Sequence, residues 1–503
     1  MSNPLKKLAG QTAIYGLGTI LPRLLNYLLT PFLTYGFSTA EFGINSELYA
    51  YISFLNVIFT YGMETTFFNF HSRLENKQEV YNTAFLSLLL SSIVMGLLLF
   101  AFSGTIAEGL STPNATYRNQ FISWCVLIIV TDAMMAIPFA KLRADNKALT
   151  FSLLKLGNVI LSFGLTIFFL KVCKEASEAG DDSFYDLLYD PSIGIGYAFL
   201  ANLIANIFTL LLLSKQFLSL QFSLNKELLK DMLHYTWPLV ILGLAGMINE
   251  TLDRIILKKL LVDKVEAQNA QGIYGACYKI AILMTIFVQA FRFAAEPFFF
   301  GRAKEKNSKQ TYALVMKYFV IFCLLLFLGT VLNLEWIQYF IGENFRSGLK
   351  VVPILLLANL CLGVVYNLSI WYKLGNLTRF GAIIAVSGAV ITLAVNWIFV
   401  PTYSYMASAW ATLAAYAGMM VLSYLLGQKH FPIKYNVRAI MVYTLLAMVL
   451  YGISFTYANM ESLSLKLILN NLLIVLFVWI VYKLEFNNLK KLNSHAADSD
   501  QSH

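Results

Sequence analysis

Long apolar runs recur from one end of the chain to the other, separated by short polar breaks, without the strict alternation of half-buried strands. A helix needs about 20 apolar residues to cross the roughly 30 Å hydrocarbon core of a bilayer, because backbone amides there find no water to bond. The spacing predicts fourteen such spans, centred near residues 22, 58, 92, 130, 160, 203, 247, 284, 322, 360, 390, 415, 447 and 474. The expected fold is therefore an all-α integral membrane protein. The run from about Leu8 to Phe37 is too long for a signal-peptide core and is expected to remain as the first helix.

The pattern also divides the chain. Residues 1–215 hold six spans, and 236–430 hold six more. Between them, 216–235 reads as a cytoplasmic amphipathic linker, with Leu228, Leu229, Met232 and Leu233 set among charges. Residues 431–485 add two spans, and 486–503 read as a disordered cytoplasmic tail. The stretch FGINSELYAYISFLNVIFTYGMETTFF, from Phe42, is echoed by GIYGACYKIAILMTIFVQAFRFAAEPFF, from Gly272. Repeated halves of this kind let a transporter build two interconvertible states around one site.

Composition agrees: of 503 residues, 58% are apolar and 13% charged. The net charge of +9 does not gather on one face, which argues against nucleic acid as a partner. Lys and Arg instead cluster in alternate connections, at Arg73 and Lys77, at Lys141, Arg143 and Lys147, at Lys226 and Lys230, and at Arg302, Lys304, Lys306 and Lys309. The long connection from Lys171 to Pro191 is acidic. By the positive-inside rule both termini are expected to be cytoplasmic. Lys258, Lys259 and Lys264 are exceptions on the external side. Five scattered cysteines give no disulfide framework or zinc site. The chain has no GxxxxGK[ST] loop, HExxH or CxxC pair, so no enzyme, cofactor or metal is expected.

Charges inside spans are the candidate functional groups, because each costs at least ~2.5–3.5 kcal/mol at mid-membrane unless it is paired, wet or near an interface. Arg23 lies about twelve residues into the first span, roughly 18 Å along the helix. It is either a cavity-facing cation or a donor to carbonyls freed by Pro22. Span seven carries Glu250, Asp253 and Arg254, and Arg254 can pair with Glu250 one turn away. Lys279 and Arg292 follow in span eight, with Glu296 one turn beyond Arg292. Glu64, Asp132 and Lys155 lie toward the cytoplasmic third of their spans, where interfacial anchoring and ion coupling both explain them. Interior prolines, including Pro138, Pro238 and Pro353, are hinge candidates.

Five stretches together resemble the oligosaccharide flippase (O-antigen translocase-like) family of the multidrug/oligosaccharidyl-lipid/polysaccharide (MOP) exporter superfamily. They are LTPFLTYGFSTAEFG from Leu29, DAMMAIPFAKLRADNKA from Asp132, MLHYTWPLVILGLAGMINETLDRIIL from Met232, the Gly272 stretch, and NWIFVPTYSYMASAWATLAAYAG from Asn396. The resemblance implies two pseudo-symmetric six-helix bundles, MATE-like, around a cavity that opens alternately to each side. It implies a polyprenyl-diphosphate-linked oligosaccharide as cargo, moved to the external leaflet for surface polysaccharide such as lipopolysaccharide. Membrane lipids, a polysaccharide polymerase and glycosyltransferases are the implied partners, and a Na+ or H+ gradient the implied drive. Arg23, Arg254, Lys279 and Arg292 then become cavity cations, and Glu64, Asp132, Glu250 and Asp253 coupling or structural acids. Alternatives are an ion-coupled multidrug exporter, which needs carboxylates for cationic drugs, a peptidoglycan-precursor flippase, and a membrane glycan ligase or polymerase.

Overall fold

The computed structural model describes residues 4–145, 147–178, 188–302, 305, 307–375 and 377–500, so residues 179–187 of the acidic connection, Lys304 and Lys306 lie outside the described residues. The first bundle contains α1 (Pro4–Gly36), α2 (Thr39–Thr60), α3 (Met63–Arg73), α4 (Lys77–Ala101), α5 (Ser103–Leu110), α6 (Asn119–Ala144), α7 (Ala148–Ile167) and α8 (Tyr197–Leu212). The second contains α9 (Lys226–Leu260), α10 (Lys264–Gly301), α11 (Ser308–Val331), α12 (Val352–Leu368), α13 (Arg379–Tyr403) and α14 (Tyr405–His430). Helices α15 (Val437–Ser454) and α16 (Leu463–Asp500) follow. The end where α1 begins is called proximal and the opposite end distal.

Among the described residues, 11 helices are long and apolar enough to cross a membrane. Helices α1, α2 and α9 occupy the positions of the other three predicted spans. Two of these are interrupted by charge, α2 by Glu47 and α9 by Glu250, Asp253 and Arg254. The chain is thus an all-α, multi-pass membrane protein.

Local chemistry sets the element ends. Ser38 and Glu41 form a reciprocal capping box that starts α2: the Ser38 Oγ accepts from the Glu41 amide at 3.3 Å, and the Glu41 carboxylate accepts from the Ser38 amide at 2.9 Å. The predicted second span is broken into α2 and α3 by two left-handed residues, Tyr61 at φ 33° and Gly62 at φ 72°. Glycine is needed at 62 twice over, for its φ and because a Cβ there would lie 2.9 Å from that of Leu239.

Three boundaries differ from expectation. The 216–235 segment is not a separate interfacial helix. After a short helix at Ser214–Leu218 the chain is extended, and Asn225 then caps α9 by accepting from the Glu227 and Leu228 amides, each at 3.0 Å. The helix runs from that cap through Pro238 into the apolar run, so the amphipathic turn becomes the first part of α9, with Met232 buried against Met63 and Phe67. Pro353 is not a mid-span kink either. It is in the first turn of α12, where a missing N–H costs nothing. The segment expected to be a disordered tail continues α16 to Asp500, because Leu and Lys there are good helix formers and no Pro or Gly intervenes.

Within the first bundle α1 packs on α7, α7 on α8, and α4 and α8 on α6; within the second α12 and α13 pack on α14, and α9 on α13. The bundles meet through α2 against α9 and α10, and α1 against α10. Helices α15 and α16 attach to the outside of α11. There Lys317 of α11 is paired with Glu485 of α16, which also accepts from the Tyr443 hydroxyl of α15 at 2.6 Å. Nearer the distal end Lys466 of α16 pairs with Glu335.

Candidate functional site: charges between the bundles

Burial along the seam between the bundles is graded. Toward the distal end Glu47, Lys258, Gln268 and Gln271 are all buried. Nearer mid-chain Arg23, Glu250 and Arg292 are exposed, although all three lie within long helices. On one side the seam is tied proximally as well: Thr66 of α3 and Thr236 of α9 share a hydrogen bond at 2.6 Å. Exposed charges inside long helices call for water or a polar partner within a bilayer.

Five of the predicted residues lie near one another. The Arg292 guanidinium lies over the Tyr366 ring, 4.7 Å from its centroid. The Tyr366 hydroxyl also feels the charges of Glu250 and Arg23, so α1, α9, α10 and α12 contribute to one electrostatic cluster. Arg254 stacks over the Tyr278 ring at 4.3 Å and feels Glu250 too. Lys279, one residue on from Tyr278, lies within repulsive reach of Arg254. Cations at this separation raise one another's energy, so the arrangement lowers the cost of bringing in an anion. The Arg254 Nε is buried and has no hydrogen-bond partner among the described residues, which leaves a donor for such a ligand.

The expected local ion pair between Arg254 and Glu250 is not formed among the described residues. Arg254 is drawn onto Tyr278, whereas Glu250 is exposed. The side chain of Glu296, named as a partner for Arg292, lies outside the described residues.

The remaining acids occupy three other environments. Glu64 pairs with Arg143 between α3 and α6 at the proximal rim. Asp132 accepts from the Asn206 Nδ2 at 2.9 Å inside the first bundle and lies within electrostatic reach of Lys155. Asn206 is held in turn by Asn158, at 3.0 Å, so α6, α7 and α8 share one polar seam. Asp253 is 2% exposed and points into the second bundle, accepting from the Tyr274 hydroxyl at 2.6 Å and the Arg254 amide at 2.8 Å. The eight residues therefore do not form one site. Arg23, Glu250, Arg254, Lys279 and Arg292 come together; Asp253 adjoins Arg254 but is turned to Tyr274, and Glu64 and Asp132 lie apart.

The model of the polysaccharide biosynthesis protein family matches residues 8–301, more than half of the chain. The chain belongs to that family. That agrees with the resemblance read from the sequence. Among solved structures it is similar to the lipid II flippase MurJ in an inward closed conformation, at 15% identity and a TM-score of 0.71, covering 94% of this chain and 99% of that one. It is also similar to a multidrug resistance MATE family transporter of the MOP superfamily. The inward-facing conformation matches with a TM-score of 0.63 at 13% identity over 83% of this chain and 94% of that one, and the outward-facing one with 0.58 at 13% over 85% and 96%. These likenesses show the fold. No curated protein matches the chain.

Sequence reasoning missed several residues of this family member that the fold singles out. Tyr278 and Tyr366 support cations but look like ordinary span aromatics in the sequence. Glu47 and Lys258 form a buried pair between the bundles, yet Lys258 stood out only as an exception to the charge rule. That exception was the available signal: a lysine on the disfavoured side calls for a structural reason.

Proposed function

We propose that the protein is a flippase that carries a polyprenyl-diphosphate-linked oligosaccharide from the cytoplasmic to the external leaflet by alternating access, in a bacterial inner membrane with both termini cytoplasmic. One observation carries this reading: Arg23, Arg254, Lys279 and Arg292, from both bundles, lie in one electrostatic cluster in which Glu250 is the exposed carboxylate and Asp253 is turned to Tyr274. A diphosphate head group presents several acceptor oxygens to such donors, and charge-assisted bonds to it are strong in a site of low dielectric. A carrier of cationic drugs would need the reverse, and two of the acids that reading relied on, Glu64 and Asp132, are engaged elsewhere.

The fold shared with the lipid II flippase supports a second cargo, the peptidoglycan precursor, whose head is recognised by the same chemistry. Deletion of the gene followed by analysis of lipid-linked intermediates separates the two: accumulated oligosaccharide-linked lipid with normal peptidoglycan supports the first, accumulated lipid II the second. Within the first reading, Arg254→Ala and Lys279→Ala are expected to lower surface glycan about 10- to 100-fold each, from charge-assisted bonds of about 1.5–3 kcal/mol. Normal glycan in both, with the protein inserted, would remove the cavity from the function.

A further inference from the structure

Lys258 is a charge on the wrong side of the membrane by composition, and the fold gives it a partner from the other bundle. Its ammonium donates to the Glu47 carboxylate at 2.9 Å and to the Leu110 carbonyl at 2.7 Å, and it lies 4.2 Å from the centroid of the Tyr117 ring. The same carboxylate accepts from the Tyr117 hydroxyl. Gln268 of α10 donates to the Ala40 carbonyl at 3.1 Å and the Tyr117 hydroxyl at 3.2 Å. Glu47 is 1% exposed and Lys258 6%. The backbones around them touch: a Cβ on Gly272 would lie 1.9 Å from the Thr39 carbonyl oxygen, so only glycine allows α10 this close to α2.

An outward-open state must part α2 from α9 and α10, and that splits the pair. Splitting a buried ion pair is unfavourable chiefly because it leaves each charge unpaired. Glu47 departs with the first bundle. Lys258 stays on α9, one helical turn beyond Arg254 and on the same face. The anion able to take the place of Glu47 is therefore the one already held at the level of Arg254 and Lys279.

We propose that Lys258 is a second cargo-binding cation, exchanged from Glu47 to the diphosphate head of the cargo as the distal end opens. This rests on the cavity reading above. It makes opening depend on load: an empty carrier that opens exposes an uncompensated lysine and recloses, and a loaded one does not, because its anion binds the open state in preference to the closed one.

Disulfide formation across the seam tests it. Thr39 and Asn269 place side-chain oxygens 2.9 Å apart across α2 and α10, so Thr39→Cys with Asn269→Cys reports distal closure in the full-length protein, with single-cysteine controls for the native thiols. The probe is vesicles containing polyprenyl diphosphate, compared with vesicles containing neutral polyprenol. Polyprenyl diphosphate is expected to lower the cross-linking yield about tenfold, and polyprenol to leave it unchanged. Glu47→Gln is expected to lower the yield with no lipid added. The exchanged pair, Glu47→Lys with Lys258→Glu, is expected to restore the high yield while abolishing the response to polyprenyl diphosphate. An exchanged pair that still responds as the native protein does, or a Glu47→Gln protein that stays closed, overturns the hand-over. The cavity reading fails separately, if Arg254→Ala keeps the full lipid response.

Discussion

At the scale of single residues, environment divides charges that look alike in the sequence. Glu64 and Glu250 are both carboxylates inside predicted spans, but Glu64 shares a partly exposed pair with Arg143 and Glu250 stands in the gap among cations. A pair exposed by a third or more contributes at most about 1 kcal/mol. Glu64→Gln is accordingly expected to leave both thermal stability and surface glycan near native, whereas Glu250→Gln, which removes the exposed negative charge near Arg254 and Arg23, is expected to change transport without loss of the folded protein. Parallel thermal unfolding and glycan assays check both. Gly272→Ala makes a different point, since its Cβ would overlap the Thr39 carbonyl; it is expected to wedge the distal seam and lower the 39–269 cross-linking yield.

At the scale of elements, the helices were legible because crossing a bilayer leaves few backbone solutions. What α15 and α16 rest on was not legible. Their apolar faces are mostly exposed, and their fixed contacts include the Lys317 to Glu485 and Lys466 to Glu335 pairs, each joining residues more than a hundred positions apart. Removing one partner of a buried pair strands the other, at about 3–5 kcal/mol. Lys317→Met is therefore expected to lower stability in detergent by that order, and Lys317→Met with Glu485→Met to recover most of it, as a double-mutant cycle on thermal unfolding would show. The boundary errors at 225 and 353 share one cause: caps and first-turn prolines are defined by where a chain turns, and a hydropathy pattern does not register turning.

At the scale of the whole molecule, two bundles meeting at a seam predict a carrier whose accessibility changes as the bundles part. Cysteines at Arg73 and at Val262 should report opposite faces, with labelling at Arg73 from the proximal side; labelling of Arg73 and Val262 from the same side would overturn the arrangement. The sequence by itself determined that this chain is a many-helix membrane protein, where its spans fall and which charges must be accounted for, because the free energy of placing polar groups in hydrocarbon depends on composition along the chain. Only the tertiary structure decided which charges meet. Arg23 and Arg292, or Glu47 and Lys258, are separated by hundreds of residues, and no local periodicity encodes which of two faces a long helix turns toward its neighbour.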